Sequence, residues 1–389
     1  MSQAEALVGL RQPGHYITQL ESLRGWAILL VVAFHYFGIL LGGMSGLADE
    51  APFWLRLLAA GNTGVTLFFV LSGFLLMQPF IRALRSGEQI SIRGFYVSRL
   101  LRILPLYYLA VFVAWLVSSN SPSALKALLF LPVGFEIFPF SVPWWSLCTE
   151  MQFYLLLPWI MLALNSAPGR YLMLVGGIAY LVLHGVYLLR PQWLGGHAPV
   201  WLQSTLFGRG TAFLIGGLCA WFYLGRGRQW LLDSRYLIAL VFLLLLGLMT
   251  GLLQWYGVKG QKPALILMPL YHDLEALLWG GLLLCSLGLK GGLQKLIINP
   301  LISHFGTISY SLYLVHVPIQ FYLIYPVKVA IGDTGTLSDI RMLTAVGGSF
   351  LLSWLAAVLC YRFIESPFLK LKPHLPVLTG RLLAHPAKA

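Results

Sequence analysis

Arg24 and His35 are a cation and an imidazole whose spacing in the sequence would suit the binding of an anionic ligand within a membrane. They are eleven residues apart, which on an α-helix is about 20° from a whole number of turns, so both side chains project from one face. His35 lies about 15 Å into an apolar run, near the midplane of a bilayer. An elongated anionic ligand could contact Arg24 and present its far end to His35. The alternative is a histidine bonded to a neighbouring helix and an arginine among lipid headgroups.

Glu150 is also expected inside the membrane, in a helix that enters from the opposite surface. It follows Trp144 and Trp145, an aromatic pair typical of the membrane interface, by about six residues. Its depth of about 9 Å is within several ångströms of the level of His35. A carboxylate there could orient the imidazole and stabilise its charged form, as a general base requires. The alternative is a structural hydrogen bond to a helix N-terminus.

Ser72 and His316 are further polar residues expected at membrane depth. Ser72 lacks the flanking glycines of a nucleophile elbow, and the Ser72–Gly73 pair is typical of close helix packing. His316 follows a hydroxyl-rich segment, 309–313, which indicates a polar cavity. Ordinary interhelical hydrogen bonds would also explain His316.

The segment from Arg82 to Arg102 carries five arginines and one acidic residue. Arg99 and Arg102 are three residues apart and would share a helix face at the membrane surface. Orientation of the chain by cytoplasmic arginines explains such a cluster without any ligand. The alternative is that these arginines bind a phosphorylated cofactor, because the guanidinium fork suits phosphate oxygens.

The composition places these residues in a polytopic membrane protein. Of 389 residues, 58% are hydrophobic and 10% are charged, and the mean hydropathy is +0.79. A soluble domain could not cover this much apolar surface, and disordered chains are poor in apolar residues. The net charge of +13 lies in short clusters between apolar runs, which argues against a nucleic-acid partner and for a lipid bilayer.

The expected fold class is therefore all-α, with about ten transmembrane helices. The apolar runs cover about 25–41, 61–81, 103–118, 144–164, 171–189, 205–224, 236–254, 264–287, 301–326 and 342–361. The eighth run is the weakest, because His272, Asp273 and Glu275 interrupt it and their placement is open. The four cysteines lie in apolar stretches without metal-type spacing, so we expect buried, unbridged thiols and no metal.

The distribution of basic residues predicts the orientation of the chain. With a cytoplasmic N-terminus, 18 of the 26 lysines and arginines fall on the cytoplasmic side, so both termini are predicted there. We expect one transmembrane domain over residues 1–389, with short tails and no appended soluble domain. The first run could be mistaken for a signal peptide, but it is rather long for one and nine more runs follow.

Several segments together resemble the membrane-bound acyltransferase family 3, which includes O-acetyltransferases of bacterial surface polysaccharides. The matching segments contain Leu23-Arg24-Gly25 with His35, Gly64-Val65 with residues 68–74, Arg99 with residues 102–107, Trp145-Ser146-Leu147 with Glu150, Phe153 and Tyr154, residues 309–313 with His316 and Pro318, and Glu365-Ser366-Pro367. Each motif is weak alone, and their number and order make the resemblance strong. It extends from Leu20 to about Phe368.

The resemblance implies an acyl-CoA donor, usually acetyl-CoA, a hydroxyl acceptor on a glycan or a related molecule, and a bacterial cytoplasmic membrane. It implies a catalytic role for His35, with Arg24 beside it, and supports one for Glu150. We expect the cofactor to contact Arg24, Arg99, Arg102 and Ser72. We expect the acceptor to contact His316, Tyr310, Tyr313, Trp145 and Arg209.

Two roles for His35 stay open under this resemblance. The imidazole could take a proton from the acceptor hydroxyl as a general base, or it could carry the acyl group itself. The rival function is a secondary transporter, in which mid-membrane His and Glu residues bind protons or a substrate. A transporter predicts solute flux without turnover of a thioester.

Overall fold

The computed structural model describes residues 16–41, 51–87, 90–190, 193, 202, 204–259, 267–332 and 339–371. Within these ranges the regular structure is helical and contains no strand, which confirms the all-α polytopic membrane fold. Most of both predicted cytoplasmic tails and the first residues of the eighth predicted run, 264–266, lie outside the described residues.

Sixteen α-helices follow one another along the described chain. They are α1 Tyr16–Leu41, α2 Phe53–Ala59, α3 Thr63–Ser86, α4 Ile92–Ser118, α5 Ser121–Leu128, α6 Trp144–Leu164, α7 Ala167–Leu189, α8 Leu206–Phe222, α9 Arg228–Asp233, α10 Arg235–Lys259, α11 Leu267–Gly288, α12 Gly292–Ile297, α13 Pro300–Thr307, α14 Ser309–Ile331, α15 Ile340–Cys360 and α16 Ser366–Lys370. π-helical turns at Tyr223–Gly227 and Tyr361–Glu365 link α8 to α9 and α15 to α16.

Eight helices in the described chain are long and apolar enough to cross a membrane, or up to nine if a bent pair counts as one span. The pair joins Leu270–Gly288 to Gly292–Thr307 at an angle of 119°. The chain turns there at Gly291, whose φ of +81° favours glycine. The sixth predicted run corresponds to α8, a shorter helix of 17 residues.

Three predicted boundaries differ markedly from the structure. The first run is predicted from residue 25, but α1 begins at Tyr16. The ninth run was expected over 301–326, but the structure divides it between α13 and α14, so the long helix begins at Ser309. The third run was expected from residue 103, but α4 begins at Ile92, where the Ser91 hydroxyl accepts a hydrogen bond from the Gly94 amide at 3.0 Å. Arg99 and Arg102 therefore lie on the helix itself.

Aromatic stacking and small residues hold the central helices together. The Phe213 ring stacks on Phe69 at 4.7 Å and on Phe153 at 4.2 Å between ring centroids, which joins α8 to α3 and α6. At Gly73 a Cβ atom would clash with the Phe213 carbonyl, and at Gly216 with that of Val70. The expected close packing beside Ser72 is therefore present, between α3 and α8.

The glycine after Arg24 has a similar role. A Cβ atom at Gly25 would clash with the Ile302 carbonyl, and one at Gly306 with the Glu21 carbonyl. Helices α1 and α13 thus approach with their backbones in contact. This close approach fixes α1 beside the N-terminal end of α14.

The four cysteines are unbridged. Three are buried as expected, and Cys360 is half-buried.

Candidate active site

The two histidines singled out in the sequence contact each other. His35 on α1 and His316 on α14 lie with His316 Nε2 3.0 Å from His35 Nδ1 and with ring centroids 4.9 Å apart. His316 is fully buried, and His35 is half-buried. Each Nδ1 atom also lies 2.9 Å from a backbone carbonyl oxygen one turn earlier, that of Val31 for His35 and that of Leu312 for His316. We call these two residues the histidine pair.

Tyr313 lies beside the histidine pair, with its ring centroid 6.1 Å from that of His316. Its hydroxyl donates to the Pro143 carbonyl at 2.8 Å and lies 2.6 Å from the Ser146 hydroxyl. Tyr310 donates to the carbonyl of Ile103 at 2.7 Å. Both tyrosines therefore join α14 to neighbouring segments through backbone carbonyls.

Three arginines and two carboxylates gather around the first part of α1. Arg24 has electrostatic interactions with Arg102, Glu365, Glu150 and Tyr154. The Arg102 guanidinium lies 3.8 Å from the Glu365 carboxylate, which the Ser311 hydroxyl also contacts at 3.0 Å. Arg99 interacts with the hydroxyl of Tyr154 and with Glu150. We call this set the arginine cluster: Arg24, Arg99, Arg102, Glu150, Tyr154 and Glu365.

Charge and exposure make the arginine cluster receptive to an anion. It holds three cations against two carboxylates, and all three arginines are half-buried. Arg24 makes no hydrogen bond with any residue that the structure describes, so its guanidinium donors are open to a ligand. Guanidinium groups in partly buried positions bind phosphate or carboxylate oxygens strongly.

The Glu150 carboxylate, which the sequence suggested could orient His35, has its hydrogen-bond partners elsewhere. It accepts hydrogen bonds from the Ser72 hydroxyl at 2.7 Å and the Tyr154 hydroxyl at 2.5 Å. The reason is the packing of α6, which turns Glu150 toward α3 and the arginine cluster, while α14 supplies the neighbour of His35. Ser72 thus contacts the arginine cluster through Glu150.

Arg209 and Trp145 lie together but in a different cluster. The Arg209 guanidinium carbon is 5.4 Å from the centre of the Trp145 ring, and Arg209 Nη1 is 3.5 Å from the Thr66 hydroxyl. Arg209 also has electrostatic interactions with His272 and Glu275. The residue is only 8% exposed. It therefore belongs to a buried network rather than to an open surface.

The position of the acidic cluster in α11, which the sequence left open, is inside the bundle. Glu275 accepts from Thr66 at 2.6 Å and from Tyr271 at 3.1 Å, and His272 Nδ1 lies 3.1 Å from its carboxylate. We call Arg209, Thr66, Tyr271, His272 and Glu275 the Glu275 network. Asp273 forms a separate contact, with His184 at 2.9 Å and with the Thr211 hydroxyl at 2.6 Å.

Glu365 and Tyr154 are site residues that the sequence reading did not propose individually. Glu365 lies after the predicted end of the last span, so it was not expected inside the membrane and did not stand out as a buried charge. Tyr154 is four residues after Glu150 and shares its helix face, which was a usable signal. The described residues include no group of three His, Cys, Asp or Glu side chains that could hold a metal ion.

Most of the chain is similar in sequence to known proteins. A family model described as an acyltransferase domain matches residues 17–362. The chain is 28% identical over 232 residues to "Putative peptidoglycan O-acetyltransferase YrhL" of Bacillus subtilis (strain 168), covering 53% of this chain and 33% of that protein. It is 26% identical over 392 residues to "Putative O-acetyltransferase SACOL0978" of Staphylococcus aureus (strain COL), covering 91% of this chain and 58% of that protein.

The chain thus spans about a third of one of these curated relatives and somewhat over half of the other. No solved structure matches it.

Proposed function

The chain belongs to the acyltransferase domain family, and from that premise we propose that it transfers an acetyl group from acetyl-CoA to a hydroxyl group of a glycan. The names of the relatives, which refer to O-acetyl transfer, support this type of reaction. The proposed location is a bacterial cytoplasmic membrane, with both termini on the cytoplasmic side.

The observation that carries the proposal is the arrangement along α1. One continuous helix presents Arg24 to the arginine cluster and, eleven residues later, His35 to the histidine pair. At about 1.5 Å per residue the two side chains are separated by about 16 Å along the helix axis. A long, narrow donor with an anionic head and a reactive far end fits such a separation. Coenzyme A esters have this shape.

The arginine cluster supplies the proposed site for the phosphates of coenzyme A. Its excess of one positive charge favours an anion, and the predicted topology places it at the cytoplasmic surface, where acyl-CoA is made. Arg24 offers unbonded donors, and Arg102 contacts Glu365 only at 3.8 Å, so both can reorient toward phosphate oxygens. Ser72 and Tyr154 orient Glu150 beside these cations.

The proposed chemistry takes place at His35. As a general base, His35 removes the proton of the acceptor hydroxyl while the oxygen bonds to the thioester carbonyl carbon. The carbon–sulfur bond then breaks, and the departing thiolate receives the proton from the imidazolium. As an acyl carrier, a ring nitrogen of His35 bonds to the thioester carbonyl carbon, and the carbon–sulfur bond breaks to release the coenzyme A thiolate. The acceptor hydroxyl oxygen then bonds to the same carbonyl carbon, the carbon–nitrogen bond breaks, and the hydroxyl proton passes to the freed imidazole. The acceptor reaches His35 from the side opposite to the arginine cluster.

The test is acetyl transfer in proteoliposomes with labelled acetyl-CoA and a glycan extract from the host. The protein with His35→Ala is expected to lose at least about 100-fold in rate, the usual contribution of a positioned acid–base group. His304→Ala is the matched control, because His304 is exposed on α13 and contacts Trp354 rather than the histidine pair. Size-exclusion chromatography confirms that each variant stays folded.

Two results would overturn the proposal. One is undiminished transfer by the His35→Ala protein. The other is an absence of thioester turnover by the native protein with the native acceptor present, and uptake of a solute in the same vesicles would then favour transport. A labelled protein formed without acceptor, and lost in His35→Ala, would identify the acyl-carrier route.

A further inference from the structure

We infer that His316 is a positioning residue that fixes the tautomer of His35, so that Nδ1 of His35 carries the proton and Nε2 presents its lone pair to the substrates. The inference rests on the proposed function for its catalytic meaning, since that function gives His35 its role. Its geometry depends on the positions of five atoms: the two Nδ1 atoms, Nε2 of His316, and the carbonyl oxygens of Val31 and Leu312.

The contact between His316 and the Leu312 carbonyl fixes which ring nitrogen of His316 carries the proton. Its Nδ1 lies 2.9 Å from the Leu312 carbonyl oxygen, and a carbonyl oxygen only accepts hydrogen bonds. Nδ1 of His316 must therefore carry a proton. In a neutral imidazole the other nitrogen, Nε2, then has a lone pair and acts as an acceptor. That acceptor lies 3.0 Å from Nδ1 of His35.

The Nδ1 atom of His35 faces two hydrogen-bond acceptors. One is the Nε2 lone pair of His316 at 3.0 Å, and the other is the Val31 carbonyl oxygen at 2.9 Å. A proton on Nδ1 satisfies both in a shared hydrogen bond. Nε2 of a neutral His35 is then unprotonated.

The opposite assignment is unfavourable at both residues. If neutral His316 donated from Nε2 to His35, the Nδ1 lone pair of His316 would face the Leu312 carbonyl at 2.9 Å. The Nδ1 lone pair of His35 would likewise face the Val31 carbonyl. Two contacts between lone pairs would replace two hydrogen bonds, at a cost typical of unsatisfied buried polar groups.

The consequence is the same for both proposed routes. A general base and an acyl carrier each need the lone pair of the nitrogen that meets the substrate. Because α1 and α14 hold both rings, and His316 is fully buried, the lone pair is presented in a fixed direction before any substrate binds. In this scheme His316 acts through its contact with His35 and need not touch the acceptor, although the sequence led us to expect it to bind the acceptor.

Two substitutions of His316 separate positioning from packing. Gln places an amide oxygen near the position of Nε2 and can still accept from His35, whereas Asn places its amide near the position of Nδ1 and falls short of His35. We expect His316→Asn to lower kcat by about 10- to 100-fold, because the Val31 carbonyl still holds part of the geometry. We expect His316→Gln to recover most of that loss. The KM for acetyl-CoA should change less than about twofold in both, since the arginine cluster is intact.

Equal kcat values for His316→Asn and His316→Gln would overturn the inference. A rise in KM with kcat unchanged would also overturn it, because it would assign His316 to substrate binding.

A direct measurement does not depend on activity. The native protein, labelled with ¹⁵N and ¹³C in its nine histidines, is examined by NMR in lipid nanodiscs, and the His35→Gln variant identifies the His35 signals. We expect Nδ1 of His35 to be protonated and Nε2 unprotonated. A proton on Nε2 in the native protein would overturn the inference and leave acetyl transfer untouched. Conversely, the expected tautomer without any thioester turnover would overturn the proposed function and leave the assignment of the proton intact.

Discussion

The arginine cluster and the Glu275 network are both groups of charged side chains within a helix bundle, yet they differ in burial and in pairing. In the Glu275 network, Arg209 is 8% exposed and Glu275 is 1% exposed. The Glu275 carboxylate has partners on each oxygen. In the arginine cluster, Arg24 lacks a hydrogen-bond partner within the described chain, and the Arg102 side chain is 19% exposed.

This difference indicates two uses for intramembrane charge. A buried, fully paired network contributes to the structure, because removing one member leaves another charge uncompensated in a medium of low dielectric constant. In the arginine cluster Glu365 is as buried as Glu275, but the three arginines are half-buried and outnumber the carboxylates, so these cations can bind an anionic ligand. The comparison therefore predicts losses of stability from the Glu275 network and losses of donor binding from the arginine cluster.

The largest expected effect is on stability, from Glu275→Ala. This change leaves Arg209 and His272 without their carboxylate and should lower the free energy of unfolding by about 3–5 kcal/mol. Thermal unfolding in detergent micelles measures the loss. Leu277→Ala on the same helix is the control, because Leu277 is 57% exposed and faces outward from the bundle. A Glu275→Ala protein as stable as the control would show that the network is not structural.

Arg24→Gln tests the other half of the comparison. The change removes a cation that we propose donates to the phosphates of coenzyme A, so kcat/KM for acetyl-CoA should fall by about 10- to 100-fold, which corresponds to about 1.5–3 kcal/mol. This fall should come mainly from a higher KM rather than from a lower kcat. The midpoint of thermal unfolding should stay close to the native value. Steady-state kinetics at several salt concentrations provide the measurement, and the dependence of KM on salt should weaken in the variant.

Arg85→Gln is the matched control for Arg24→Gln. Arg85 is an exposed arginine near the end of α3 that donates to the Trp221 carbonyl at 2.9 Å, outside the arginine cluster. An equal rise in KM for both variants would mean that overall charge, rather than the position of Arg24, governs donor binding.

A smaller effect is expected from Tyr154→Phe. The change removes the hydroxyl that donates to Glu150 at 2.5 Å and leaves the bond from Ser72. Glu150 and Arg99 should then shift within the arginine cluster, and kcat/KM should fall by about 3- to 10-fold, the net value of one hydrogen bond. The same kinetic assay applies, with Ser72→Ala and the double variant completing a cycle. Additive effects of the two changes would contradict a shared action through Glu150.

The sequence was sufficient for features that depend on one helix at a time. Apolar run length gave the all-α membrane fold, and the interval of eleven residues placed Arg24 and His35 on one continuous helix. The spacing of Arg99 and Arg102 indicated a shared helix face, and both arginines interact with members of the arginine cluster. These features are local, because helical period and rise fix them without reference to other segments.

Contacts between helices could not be predicted from helical period and run length. Depth alone suggested Glu150 as the neighbour of His35, but two residues at similar depth meet only if their helices turn the right faces toward each other. Packing sets the rotation and tilt of each helix, and run length does not. The structure instead pairs His35 with His316, which the sequence reading placed near the acceptor, and directs Glu150 toward Ser72.

The smallest expected effect is at Glu136, in the segment that follows α5. Its carboxylate accepts one hydrogen bond from Ser123 and two from Lys126, at 3.1 and 3.2 Å. It therefore has as many hydrogen bonds as the Glu275 carboxylate, but its side chain is 45% exposed. The Ser123 hydroxyl and the Lys126 ammonium hold the pKa of Glu136 below its ordinary value. A carboxylate whose pKa is lowered by folding stabilises the native state at pH values above the ordinary carboxyl pKa. That contribution is lost as the pH falls through the lowered pKa.

Glu136→Gln should therefore leave the unfolding midpoint and acetyl transfer at neutral pH nearly unchanged, because exposed ion pairs contribute little. Any difference from the native protein should vanish in acid, and unfolding midpoints measured between neutral and acid pH test this. A loss comparable to that of Glu275→Ala would mean that the number of hydrogen bonds, rather than burial, decides what a carboxylate contributes. The contrast between the Glu275 network and the arginine cluster would then lose its physical basis, since exposure would no longer separate structural charges from those free to bind a ligand.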